Sequence, residues 1–272
     1  MDFSQDALSG LVMFYNSIDV FLLILVRVVA FLFFIPVISS LNIPVVIRML
    51  IALCVTVVIF VSGTVSISTV VYNNTVPGYF VLVLTEFMAG ILMGFIIFAI
   101  FNLLYYAGHW IDYEIGFAMV NVVDPMAQIQ VPIVGNLYYL AIAAILVVSG
   151  GLNGIIGAFY QSYAYIPIGT ANIIGNSQLA YSMLLILTNF IIIGIRIAMP
   201  IVGAILVINV ALGILVKTVP QMNIFVVGMP IKLLVGLILL FNIMGPTLES
   251  VYYMVFGAAY DALLDAIWGM SP

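Results

Sequence analysis

Long apolar runs separated by short polar breaks dominate the pattern of this chain. Runs over about 17–35, 44–61, 79–110, 131–148, 179–216 and 231–268 predict six helices. Their boundaries carry turn formers. The first run stops at Pro36, the second has Pro44 in its first turn, and the fourth stops at Gly150-Gly151. Residues 62–78 form a polar loop rich in Ser, Thr and Asn, and 152–178, with Pro167, Gly169 and Gly175, predict a mixed connection. The runs are far longer than the alternating segments of about ten residues that build membrane barrels, so the predicted fold class is an all-α integral membrane protein.

Three runs are too long for one crossing. A bilayer core takes about 20 helical residues. The run 179–216 has 38 residues and no turn signal except Pro200, which predicts a kink in a helix of about 57 Å. Tilt rarely absorbs such an excess, so apolar helix is expected to extend past the bilayer under a cover of other protein. Between the third and fourth runs lies YEIGFAMVNVVDPMAQIQVP, residues 113–132. Gly116 and Asp124-Pro125 break it as a helix, yet it is too apolar for a loop in water. Irregular backbone of this kind is tolerated at membrane depth when buried in protein or lining a cavity.

Composition supports the membrane reading. Of 272 residues, 66% are hydrophobic and 6% charged, where soluble chains are about one-quarter charged. The net charge of −5 argues against a nucleic-acid partner. The single cysteine, Cys54, is expected to be a small buried hydrophobe, and the single histidine, His109, to be interfacial; no metal or other cofactor is predicted. Asp2 and Asp6, with no basic cluster, argue against a cleaved signal peptide. Placing Arg48, Lys217 and Lys232 on the cytoplasmic side gives six crossings with both termini outside, and puts 113–132 on the cytoplasmic side.

Arg27, Glu86 and Arg196 lie inside apolar runs, where a charge costs roughly 2.5–3.5 kcal/mol at the bilayer centre on insertion scales. They are expected to pair within the chain or across a subunit interface. Asn102, Asn189 and Asn209 are candidate interhelical hydrogen-bonding groups, and Gly90/Gly94 and Gly194/Ala198 have the spacing that lets helix backbones approach. Met119 and Met126 in the interrupted stretch suit a surface that repacks around varied partners. Asp261 and Asp265 share a face that is expected to be solvated. No phosphate-cradling loop, metal cluster or activated nucleophile is present, and the chain is read as non-enzymatic.

The stretch KTVPQMNIFVVGMPIK, with Val219 to Phe225, Gly228 to Lys232 and then Gly236, resembles the signature of the FliR family of export-gate proteins. Arg27, Ala30, Pro36, Pro44 and Arg48 are similar to that family's first hairpin; Glu86, Gly90, Gly94 and Phe95 to its third helix. Asp124-Pro125, Gln130 to Pro132 and Gly135 match the segment after its central loop. Asn153-Gly154, Ser162-Tyr163, Pro167 and Gly169 resemble its next connection, and Arg196, Pro200, Asn209 and Gly213 lead to the Pro-Gln-Met-Asn loop. Ile155 departs from the His that many relatives carry.

The resemblance implies kinked helical hairpins: a FliP-like part over 1–178, holding a pore-plug loop at about 113–132, and a FliQ-like hairpin over 179–272. It implies FliP-like and FliQ-like partners, an FlhB-like subunit on the cytoplasmic side, and unfolded export substrates in transit. The expected location is the bacterial inner membrane at the flagellar basal body. Gly116, Phe117, Met119, Val120, Val122, Val123, Asp124, Pro125 and Met126 would form the plug. Lys217, Pro220, Gln221, Asn223, Gly228, Pro230 and Lys232 would either contact partners in the cytoplasm or simply shape a tight turn. A secondary transporter of a small solute is the rival reading, since such proteins bind substrate where helices break; it expects substrate-reading charges near the midplane and internal repeats, and no clear repeat is visible. A membrane enzyme is a more distant third.

Overall fold

A computed structural model describes residues 3–39, 43–62, 76–117, 132–173, 176–221 and 223–270. Among these there are seven α-helices and no strand: α1 (Phe3–Phe34), α2 (Val45–Val61), α3 (Val76–Ile115), α4 (Ile133–Val148), α5 (Gly151–Tyr165), α6 (Ser177–Thr218) and α7 (Ile224–Met270). The fold is that of an all-α integral membrane protein. Helices α3 and α6 and the part of α7 from Val226 to Pro246 are each long and apolar enough to cross a bilayer. Helices α4 and α5, bent by 74° at their junction, make a fourth, broken span when taken together.

Four of the helices, α1, α3, α6 and α7, run longer than the pattern predicts. α1 starts at Phe3 rather than near Ser17, and α7 at Ile224 rather than Ile231. The start of α1 is missed because it is polar, and that of α7 because Gly228 and Pro230 read as turn formers although the helix runs through them. Three expectations differ from the structure. Residues 151–165 are helix α5 and not part of a mixed connection. Ile155, Ala158, Phe159, Ser162 and Tyr163 are buried on it at the i, i+3, i+4, i+7, i+8 spacing of one helix face, and this packing overrides its glycines. Gly228 and Pro230 do not shape the turn after α6, because both lie inside α7. Cys54 also differs from expectation: it is exposed on α2. In a membrane chain the outer surface is apolar too, so a small hydrophobe need not be in the core.

The chain forms two compact units. The first comprises residues 1–98, 152–186 and 259–272; the second, 99–151 and 187–258. In the first, α1 and α3 meet at the small-residue pair. A Cβ on Gly90 would lie 2.5 Å from the Arg27 carbonyl oxygen, and one on Gly94 would lie 2.8 Å from that of Phe31. Glycine at both positions lets the two backbones touch. Phe31 stacks on Phe159 of α5 with ring centroids 4.1 Å apart. The end of α7 returns to the start of α6: Asn172 N–H donates to the Met270 carbonyl and the Asn176 side chain donates to that of Gly269. In the second unit, α6 packs on α3 where Gly194 admits the Leu103 side chain, and α7 packs on α3 where Gly236 admits that of Ile115.

Gly90→Ala is expected to destabilise the protein by about 1–3 kcal/mol through forced backbone separation. Gly203→Ala, where an added Cβ meets nothing within 4 Å, is expected to be neutral or to stabilise by up to about 1 kcal/mol through helix propensity. Thermal unfolding of the two variants in detergent compares them directly.

Candidate functional site

The first polar site lies in the first unit. Arg27, on α1, and Glu86, on α3, are fully buried and form a two-pronged ion pair. Arg27 Nε donates to Glu86 Oε2 at 2.5 Å and Nη2 to Oε1 at 3.0 Å. The third guanidinium nitrogen donates to the Ile166 carbonyl at 3.1 Å, and the Gly169 N–H donates to Glu86 Oε1 at 2.7 Å. The Tyr163 ring covers the guanidinium at 4.4 Å, a cation–π contact that gains strength away from water. The pair therefore joins α1, α3, the end of α5 and the turn after it. Each guanidinium nitrogen and each carboxylate oxygen has a partner and both side chains are fully buried, so the pair is not placed to read a solute. That removes two of the three charges the transporter reading relies on.

The third, Arg196, is not part of this cluster. It is exposed midway along α6, four residues before Pro200, which is also exposed. Asn189 is exposed, while Asn209 is half-buried.

The second polar site is the stem of the interrupted stretch, in the second unit. Asp112 sits in the last turn of α3 and is 2% exposed. The Val134 N–H donates to its Oδ1 and Oδ2 at 3.1 and 3.0 Å, and the Gly135 N–H to Oδ2 at 3.4 Å. These N–H groups open α4, whose own preceding residue, Pro132, offers no side-chain cap. Asp112 thus does across 22 residues of sequence what an N-cap residue does locally. An Asp in the last turn of a helix opposes that helix's macrodipole, and here the positive end of α4 compensates it. Gly108 and Gly135 bring the two backbones into direct contact beside this bond. At Gly116, φ is +105°, a value that favours glycine and lets the chain leave α3 sharply.

Sequence reasoning missed Asp112. The signal was present: a carboxylate in the final turn of an apolar helix, against the dipole, requires a partner. Of the residues expected to form a plug, Gly116 and Phe117 are the half-buried first residues after α3. Met119, Val120, Val122, Val123, Asp124, Pro125 and Met126 lie outside the described residues.

The connection between α6 and α7 is short. Lys217 is exposed in the last turn of α6, and Pro220 and Gln221 are exposed after it. The Asn223 carbonyl accepts from the Val226 and Val227 N–H groups at the start of α7. Gly228 is buried, Pro230 exposed and Lys232 half-buried on that helix.

A family profile described as bacterial export proteins, family 1, matches residues 18–257. The flagellar biosynthetic protein FliR of Bacillus subtilis is 30% identical over 248 residues, covering 91% of this chain and 92% of that protein. The chain belongs to the FliR family of bacterial export proteins. FliR of Escherichia coli is 27% identical over 89% of the chain and 90% of its own length. The surface presentation of antigens protein SpaR of Shigella flexneri is 27% identical over 84% and 87%. Membership in the FliR family makes this chain a membrane component of a type III export apparatus.

Removing one member of the buried pair, by Arg27→Leu or Glu86→Gln, is expected to cost about 3–5 kcal/mol, because the other charge stays buried. The double change Arg27→Met with Glu86→Leu is expected to recover part of that loss; the amount of protein recovered from membranes and its unfolding temperature report both. Asp112→Asn keeps shape but replaces one acceptor oxygen with a donor facing an N–H. It is expected to cost about 1–2 kcal/mol and to raise amide hydrogen exchange at 133–136 while leaving α1 unchanged.

Proposed function

We propose that this chain is a non-enzymatic subunit of the type III export gate of the flagellar system. With FliP-like and FliQ-like subunits it encloses the inner-membrane pore through which unfolded substrates leave, and residues 113–132 form the plug. The observation that carries the reading is the surface of the long helices. α3, α6 and α7 have 40, 42 and 47 residues, or about 60, 63 and 70 Å at 1.5 Å per residue. Large side chains stay exposed along much of this length, among them Leu184 at 64%, Val207 at 70% and Phe241 at 80%. A bilayer of about 30 Å hydrocarbon thickness covers half of that. The other half calls for protein, as a hetero-oligomeric gate provides. In this reading residues 179–272 form the FliQ-like part, and 1–178 the FliP-like part.

The stretch 113–132 has the composition of an ion seal. A closed gate stops ions yet passes chains of any sequence, and an apolar constriction does this by dewetting, without a charged ring to attract ions. Methionine and valine side chains yield around varied cargo. The Asp112 anchor and the turn at Gly116 support this by fixing where the stretch starts and ends. The connection carrying Lys217, Pro220, Gln221 and Asn223 faces the cytoplasm in this scheme, where an FlhB-like subunit docks.

The test is to co-express the chain with FliP-like and FliQ-like partners and weigh the intact complex by native mass spectrometry. The purified complex is then reconstituted in liposomes to measure ion leakage. A discrete hetero-complex is expected, tight when intact and leaky when residues 117–126 are replaced by a short Gly-Ser linker. A stable lone monomer, or unchanged leakage after the replacement, would count against the reading.

A further inference from the structure

The length of α6 raises a question of depth: which part lies in lipid. Arg196 and Lys217 are both exposed, and the 20 residues between them, 197–216, carry no charge. That interval spans about 30 Å as helix, the thickness of a hydrocarbon core. On α7 the corresponding charges are Lys232, half-buried, and Glu249, exposed, with no charge over 233–248. Residues 219–223 join the two helices, so positions can be compared from that turn. Arg196 stands about 33 Å along α6 and Glu249 about 38 Å along α7. Counted along each helix, the far charges thus stand at similar distances from the turn. Lys232 lies about 12 Å inside the turn, and its four-carbon stem can carry the ammonium back toward the surface.

Two further features set the level of Arg196. The exposed Arg196 guanidinium calls for water or headgroups, which a bilayer centre does not offer. The alternative slab, on the other side of Arg196, is disfavoured by α7. Beyond Glu249 that helix exposes Asp261 and Asp265, each of which would cost roughly 2.5–3.5 kcal/mol in hydrocarbon. Large apolar side chains dominate the exposed surface between the charge levels, such as Leu206, Val207 and Val210 on α6 and Leu234, Ile238 and Phe241 on α7; the exposed Asn242 donates its amide to the Ile238 carbonyl of its own helix. Of the most apolar stretch within Val226–Pro246, 17% is buried, against 50% of the corresponding stretch in α3.

We infer that residues 197–216 of α6 and 233–248 of α7 form a lipid-facing collar, with Arg196 at one headgroup layer and Lys217 at the other. Their guanidinium and ammonium groups meet lipid phosphates, while the parts of both helices beyond Arg196 and Glu249 stand outside the hydrocarbon. The collar does not depend on 113–132 acting as a plug, and its test does not use export or leakage.

The wild-type chain, in native membranes with its partners, is irradiated with a bilayer-soluble diazirine and its peptides are mapped. Adducts are expected to be several-fold denser on 197–216 and 233–248 than on 177–195 and 250–270. Single cysteines at Val207 and Leu184, placed in a Cys54→Ser background and labelled with a nitrobenzoxadiazole dye, give an independent reading against spin-labelled lipid. Quenching is expected at position 207 and not at 184. Even labelling along α6, denser labelling on 177–195, or an unlabelled collar beside labelled partner subunits would each overturn the inference. The last outcome would mean that protein covers the collar.

Discussion

Apolar helices twice as long as a bilayer is thick are the constraint on which the rest of this molecule depends. Hydrocarbon can cover about 30 Å of each, whereas α3, α6 and α7 have 40 or more residues. The remaining surface cannot face water without exposing contiguous apolar patches far larger than soluble proteins tolerate. The chain is therefore incomplete by itself in an energetic sense. Its partners complete its surface, much as the second half of a core completes the first. Assembly into an export apparatus is then a condition of stability as well as of function.

Within the chain, apolar contact does not select one arrangement, because lipid is as apolar as leucine. Specificity comes from the few polar groups and from close backbone approach. Arg27 and Glu86 have one way of satisfying each other, Ile166 and Gly169 at once. Gly90 and Gly94 then set the α1–α3 spacing at which the pair can form. A buried pair of this kind contributes little net stability against an apolar substitute, yet breaking it is costly, which suits a role in fixing register. Asp112 plays the corresponding part in the second unit, where a carboxylate in the last turn of α3 satisfies the N–H groups at the positive end of α4.

Much of this was legible in the sequence, and the failures share a cause. The apolar runs located six of the helices, and charges inside them marked Arg27 and Glu86 as groups in need of partners. Which partner each takes was not legible, since the two lie 59 residues apart. Helix α5 was missed because glycines and polar residues lower its apparent apolarity, whereas its buried face has regular helical spacing. Asp112 stood out only as a carboxylate at the wrong end of a helix; its partners are backbone N–H groups, which the sequence does not name. Cys54 was misplaced because rules for soluble cores equate apolar with buried.

The placement of Asp112 bears on how an apolar seal can be held. On the gate reading, a plug must be positioned tightly enough to exclude ions, yet carry few fixed polar groups of its own, since these would hydrate the constriction. Anchoring groups inside the plug would defeat it. Anchoring at the stem does not: the carboxylate is spent on the Val134 and Gly135 N–H groups, leaving Asp124 as the single charge between residues 116 and 132. A glycine at the exit from α3 then permits movement that the anchor itself resists. Rigid attachment and a yielding, nearly uncharged seal are in this way assigned to different residues. On the gate reading, cargo displaces the seal while the Asp112 bonds at its stem stay in place.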